Sequence, residues 1–411
     1  MQTNTGKNFS SRLTDHSYIL FMFFSFLSFY YDIPGIFRQA LWVLLFLFNL
    51  KYITNRSQID KVVLFYLFVS FLTLSGNIII PYPIEDFIKV FIYSYVPIIF
   101  YFIGKNSTSV YSDFMSKSNL GIMFLFILGF YFLLYPTDTY ITKSLETINL
   151  YGHYTEETLM FARFASFMDS YHTANLGVCS LCFSFGLLRY TQMPQYDKSK
   201  WIRILAYLFI IVSVVAIMLA RQRVAMYIGL LIFLYYLFFS GYGKFAAIIV
   251  VGALLGGMVY LALNSVDVTI MEQITGSFSS KASSTLISSR VDQWLESLDG
   301  FFMEPILGLG IGSSGHVAYV SNPQHPLVTD GSYFKILVEG GLVSFVPFMI
   351  ILISSLWRGF KNRKKYYVEF PLLFFFSCSL IGANTIDMPY IIVFMWYVIG
   401  RINSKKQFLY E

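Results

Sequence analysis

The sequence predicts an all-α, polytopic integral membrane protein, with about twelve transmembrane helices and one large hydrophilic loop between helices 9 and 10. Composition is the first reason: of 411 residues, 56% are hydrophobic, 19% aromatic and only 13% charged, with a mean hydropathy of +0.62. Soluble domains carry roughly 25% charge. The second reason is run length. The apolar stretches are long and uninterrupted, and about 20 apolar residues are needed for a helix to cross the hydrocarbon core. Only helices and closed barrels can span a bilayer, and unbroken rather than alternating apolar runs select helices. The third reason is punctuation, because turn residues fall where the runs end.

Taken in order, the spans cover about 17–31, 36–54, 61–80, 87–104, 120–135 and 174–192, then 201–219, 222–240, 244–263, 333–356, 369–384 and 388–402. Asp32, Pro34 and Gly35 close the first, Pro81, Tyr82 and Pro83 the third, and Gly241 and Gly243 the eighth. The first span is not expected to be a cleavable signal, since it lacks a small-residue cleavage site and runs into Tyr30 and Tyr31. Residues 1–411 therefore read as one transmembrane helical domain with two long outward loops, 136–173 and 264–332.

Cation placement sets the expected orientation. With both termini in the cytoplasm, inner loops and span ends hold 20 of the 29 Lys and Arg residues, among them Lys51, Lys105, Arg189, Arg358 and Arg401. The net charge of +6 is thus an orientation signal. The basic residues are scattered over short loops, so no nucleic-acid surface is implied. Cys179, Cys182 and Cys378 all fall inside spans, which excludes a disulfide framework for the outer loops and favours buried packing roles. No GxxxxGK[ST] motif occurs, and the cytoplasmic loops are too short for a nucleotide-binding domain.

Polar chemistry concentrates on the outward side. Four of the five histidines, His153, His172, His316 and His325, lie on the two long loops. Arg221 and Arg223 sit in a very short link between two spans, where an ionisable residue is a functional-site hypothesis by default. Interfacial snorkelling is the alternative. Guanidinium groups suit a dianionic ligand, because they stay charged and grip phosphate with two bonds. Arg163 precedes the sixth span, and Arg290 lies four residues before Trp294, so on a helix the two share a face. That helix would either lie along the membrane surface with Trp294 at headgroup level, or stack the cation near the indole for structural reasons.

Gly308, Gly310 and Gly312 follow, in EPILGLGIGSSG. No strand leads into them, so a dinucleotide site is not indicated. A close backbone approach to a ligand, a nest of N–H groups facing an anion, and an ordinary turn all remain open. His325 and Asp330 come just before the tenth span, where the histidine is a candidate general base.

The order R-x-x-x-W, P-x-x-G-x-G-x-G, then His325 and Asp330 in D-G-S-Y-F-K-I-L-V-E-G-G, with Arg223 and Ala225 two spans earlier, resembles the O-antigen polymerase and ligase superfamily (Wzy-type). The segment RFASFMDSYHTANLG, with Arg163 and Asn175, is similar to that superfamily's Arg-rich stretch before a helix. The resemblance runs from about Arg163 to Gly341. It implies a membrane glycosyltransferase in the bacterial inner membrane, joining undecaprenyl-pyrophosphate-linked repeat units at the periplasmic face. The implied roles are pyrophosphate binding by Arg163, Arg221, Arg223 and Arg290, and proton abstraction by His325 with Asp330. The implied partners are lipid-linked donor and acceptor, membrane lipid and a chain-length regulator protein.

Two departures bear on this expectation. Asp330 is followed by Gly331 where family members often carry Asn, and His325 is followed by Pro326 where ligases tend to carry Asn, which favours a polymerase over a ligase acting on lipid A core. A third reading is a flippase or transporter without catalysis. Against it, no span carries an ionisable residue near its centre and no repeat of interrupted helices is found. No cofactor is expected, and no metal, since the outer loops hold no D-x-D or metal-spaced His/Asp cluster.

Overall fold

The computed structural model describes residues 18, 34–53, 57–73, 84–107, 112–135, 137, 170–191, 200–220, 222–239, 280–314 and 331–404. These residues form helices and turns, with no strand among them. In chain order the helices are α1 (Gly35–Asn49), α2 (Gln58–Leu72), α3 (Ile84–Ser94), α4 (Ile99–Asn106), α5 (Asp113–Leu134) and α6 (Ser170–Thr191). Then come α7 (Lys200–Ala220), α8 (Arg223–Phe239), α9 (Ser280–Met303), α10 (Ser332–Lys361), α11 (Glu369–Gly382) and α12 (Pro389–Ile402).

Among the described residues, four stretches are long and apolar enough to cross a bilayer: Ile88–Asn106, Asp113–Phe132, Lys200–Ala220 and Ser332–Lys361. Arg223–Phe238, Glu369–Gly382 and Pro389–Ile402 are shorter apolar helices. With an all-helical interior, they make this a polytopic membrane protein. The expected first and ninth spans fall outside the described residues, apart from Tyr18. The expected fourth span is broken: Pro97 has no N–H to donate, and a short 3-10 turn, Val96–Ile98, joins α3 to α4. The loop expected over 264–332 is not structureless, since α9 lies within it.

In the membrane, helix association rests on close packing and interhelical hydrogen bonds, not on the hydrophobic effect. Both devices are present. A Cβ at Gly104 would sit 2.1 Å from the Tyr397 carbonyl oxygen, and one at Gly400 would sit 1.9 Å from that of Tyr101, so α4 and α12 meet backbone to backbone. Asn119 on α5 donates to Ser184 Oγ at 3.1 Å and accepts from Ser180 Oγ at 2.5 Å on α6, and Ser213 Oγ of α7 donates to Ser180 Oγ at 3.0 Å. The cysteines are free, with Cys179 and Cys182 buried, as packing roles require.

The helices alternate in direction, which gathers polar groups at two ends. At one end Lys105 of α4 pairs with Asp60 of α2, whose other oxygen accepts from Tyr101 at 2.7 Å. There too Arg401 Nε of α12 meets Glu369 Oε1 of α11 at 2.5 Å. At the opposite end stand the start of α6, the start of α10 and the turn between α11 and α12. Tyr171 donates to the Gly382 carbonyl at 3.2 Å, and Ser379 Oγ to Asn175 Oδ1 at 3.3 Å.

Candidate functional site

The second end is built around a break in α10. Gly341 interrupts the helix, with φ 56° and ψ −164°. The glycine-rich stretch after α9 fills the gap with its own backbone. Leu309 N–H donates to Val338 O at 2.8 Å and Gly310 N–H to Glu339 O at 3.0 Å. In return, Leu342 and Val343 N–H donate to Pro305 O at 3.0 Å and Ile306 O at 3.2 Å. The groups orphaned by the break are thereby satisfied. Gly308 has to be glycine here: its φ is 74°, and a Cβ would lie 2.5 Å from Gly341 N and 2.6 Å from the Glu339 carbonyl.

The same stretch makes an N–H nest, and its occupant is a side chain of this protein. Glu339 Oε1 accepts from Gly312 N–H at 3.0 Å and Ser314 N–H at 3.3 Å. Of the readings open for these glycines, the structure selects a nest around an internal carboxylate. Lys335, one turn earlier, lies 2.7 Å from Glu339 Oε1 and donates to Ser314 O at 3.0 Å. It also lies 3.3 Å from Asp387 Oδ2 in the turn before α12. Ser94 Oγ of α3 donates to Asp387 Oδ1 at 2.6 Å. One lysine thus ties together the glycine loop, its own helix and the α11–α12 turn.

Exposure separates the three charges. The Lys335 and Glu339 side chains are 2% and 1% exposed, whereas that of Asp387 is 27% exposed. One cation faces two carboxylates, and the carboxylate that solvent or a ligand can reach is Asp387. Held from both oxygens, it is a fixed acceptor for hydroxyl donors.

The start of α10 is anchored to this turn. Gly331 N–H donates to Asn384 Oδ1 at 3.2 Å, Ser332 N–H and Oγ both donate to Ala383 O, at 3.1 and 2.8 Å, and Ile386 N–H donates to Ser332 Oγ at 3.1 Å. Gly331 threads a gap, with φ 144° and a would-be Cβ 2.8 Å from Ile381 O and 3.4 Å from Trp294 Nε1. That contact accounts for glycine after Asp330. Trp294 also stacks on Phe334 with centroids 5.4 Å apart and planes 15° apart. The indole therefore packs against the start of α10.

Among the residues named from sequence, Arg223 opens α8, and Gly229 farther along α8 packs beside Val178 and Ile217. Arg290 is placed by its backbone on α9, one turn ahead of Trp294, and so on the helix docked against Gly331 and Phe334. Arg163, Arg221, His325 and Asp330 lie outside the described residues. Glycine loop, α9 and the residue after Asp330 are brought together. Lys335, Glu339 and Asp387 were missed as a group, though the i, i+4 spacing of Lys335 and Glu339 at the head of an apolar run was a usable signal. Asp387, in IDMP, carries no such signal. Among the described residues no group of His, Cys, Asp and Glu could hold a metal ion.

Comparison with known proteins places these features in a family context. Residues 206–349 match the Wzy_C family model, described as O-Antigen ligase. That segment includes Arg221, Arg223, Arg290, His325, Asp330, Lys335 and Glu339, and leaves out Arg163 and Asp387. The chain is also similar to an O-antigen polymerase of Salmonella muenchen, 26% identical over 282 residues, which is 64% of this chain. The match spans 64% of that relative's length.

Proposed function

From the match of residues 206–349 to the O-Antigen ligase family model and the similarity to an O-antigen polymerase, we propose that the chain polymerises oligosaccharide repeat units carried on undecaprenyl pyrophosphate. A growing glycan on its lipid diphosphate is the donor, and a single lipid-linked unit is the acceptor. The bond from the donor's anomeric carbon to the diphosphate oxygen breaks. A bond from that carbon to an acceptor hydroxyl oxygen forms, and the hydroxyl proton passes to His325, oriented or replaced by Asp330. Undecaprenyl pyrophosphate leaves, its developing charge neutralised by Arg163, Arg221, Arg223 and Arg290, as preorganised electrostatic stabilisation requires. Asp387 offers the acceptor sugar a fixed hydrogen-bond acceptor. In this reading the site faces the periplasm and both termini the cytoplasm.

The observation that carries the proposal is the docking of Trp294 on Gly331 and Phe334. It supports the reading by setting the helix that carries Arg290 beside Gly331, the residue that follows Asp330 in the chain. The description of the matched family model favours a second reading, transfer of the finished glycan to a lipid core.

Purified protein incubated with lipid-linked repeat units, without ATP or sugar nucleotide, is expected to yield a ladder of longer chains. Product appearing only when a lipid A core acceptor is added supports the ligase instead. Arg223→Ala and Arg290→Ala are expected to abolish the ladder while the protein still inserts and purifies. Ladders of wild-type length from both variants would remove those arginines from the site.

A further inference from the structure

Around its axis α9 has three sectors. Trp294, Ser297 and Phe301, spaced i, i+3, i+7, turn toward the body of the protein, where Ser297 is buried and Trp294 stacks on Phe334. Asp292, Glu296 and Asp299 form an exposed acidic sector. Between the two runs an exposed apolar stripe, Val291, Leu295 and Phe302, with Leu295 56% and Phe302 69% accessible. A helix packed against its own protein on one side has no need for both an apolar and an acidic sector in water.

The stripe does not stop at the end of α9. Met303, Ile306 and Leu307 are exposed next to it, and the backbone of Pro305 and Ile306 is hydrogen-bonded to Leu342 and Val343 of α10. From Leu342 a second exposed apolar row, Val346, Ile350 and Ile353, descends α10 at helical spacing. That helix is long and apolar enough to cross a bilayer, so this row is its lipid-facing side. The two rows form one continuous surface, wider than the isolated apolar side chains that soluble surfaces tolerate.

We infer that α9 is an interfacial helix, with its Val291–Leu295–Phe302 stripe seated among the acyl chains of the surrounding bilayer and its acidic sector in water. The occupant is ordinary membrane phospholipid. The geometry is that of an amphipathic helix lying in the plane of the interface, pinned to its protein by Trp294. The inference goes beyond the proposed polymerase reading, and its measurement does not depend on polymer formation.

The test uses full-length protein carrying Cys378→Ser, with Cys179 and Cys182 left in their buried places, reconstituted in phosphatidylcholine and phosphatidylglycerol vesicles. A fluorescent thiol label is attached singly in Leu295→Cys, Phe302→Cys, Glu296→Cys and Asp299→Cys. Labels at 295 and 302 are expected to be quenched by doxyl-phosphatidylcholine and spared by aqueous iodide, with the preference inverted at 296 and 299. Iodide reaching all four positions would overturn the inference, because the helix would then stand clear of the bilayer. Shielding of 295 and 302 from both quenchers would overturn it too, assigning the stripe to a protein neighbour. Should labelling prevent folding, the unmodified protein is irradiated in vesicles containing a diazirine-bearing phosphatidylcholine. Lipid adducts on residues 291–307 are expected, and their absence from that segment, with adducts present on α10, would again overturn it.

Discussion

The two polar ends of the bundle are built from the same residue types and do different things. At the Lys105–Asp60 and Arg401–Glu369 end, each carboxylate has its own cation, and both members of the Arg401–Glu369 pair are sealed from solvent. Around Lys335, one cation serves two carboxylates, and Asp387 stays within reach of solvent. Balanced, enclosed pairs close a structure. The group around Lys335 instead keeps one carboxylate open, beside the starts of α6 and α10.

The largest effects should come from stranding charge. Arg401→Met leaves Glu369 buried alone and Lys335→Met leaves both Glu339 and Asp387, and breaking a buried pair in this way costs about 3–5 kcal/mol. Thermal unfolding in detergent is expected to show Lys335→Met as the more damaging. The reverse order would break the contrast between the ends. Next, Glu369→Gln strands the Arg401 guanidinium and should lower the melting temperature, while polymer formed per folded molecule stays near wild type. Asp387→Asn should do the opposite, with Lys335 still paired to Glu339, so that melting shifts little and polymer formation falls. Equal losses of activity from these two would erase the functional distinction.

Smaller effects sharpen the picture of the site's frame. Gly308→Ala forces a side chain onto backbone at positive φ, at a cost of about 1–3 kcal/mol. Gly312→Ala, at φ 87° with no atom within 4 Å of the new methyl, carries only the backbone penalty and should melt closer to wild type. Tyr171→Phe removes one hydrogen bond to Gly382 O and should cost about 1 kcal/mol, read as a modest melting shift with normal chain products.

What was legible in the chain follows from local physics. Span edges at 174, 201, 222, 333, 369 and 388 lie within a few residues of where α6, α7, α8, α10, α11 and α12 begin, because a continuous apolar run of bilayer length has no other stable form. The Pro97 break was not anticipated, and the helix read through Arg290 and Trp294 was anticipated only as a shared face, without the extent of α9. The proline lies inside an apolar run, and α9 has too little hydropathy to stand out from its polar surroundings.

By itself, then, the sequence determined the membrane-helical class and the starts of six of its helices, since hydropathy acts residue by residue along the chain. Tertiary structure alone decided that the glycine nest encloses Glu339, that Trp294 faces Phe334, and that Lys335 meets Asp387. Lys335 and Asp387 are 52 positions apart in the chain. Their meeting depends on how α10 and the α11–α12 turn pack, and no local pattern encodes a contact over that distance.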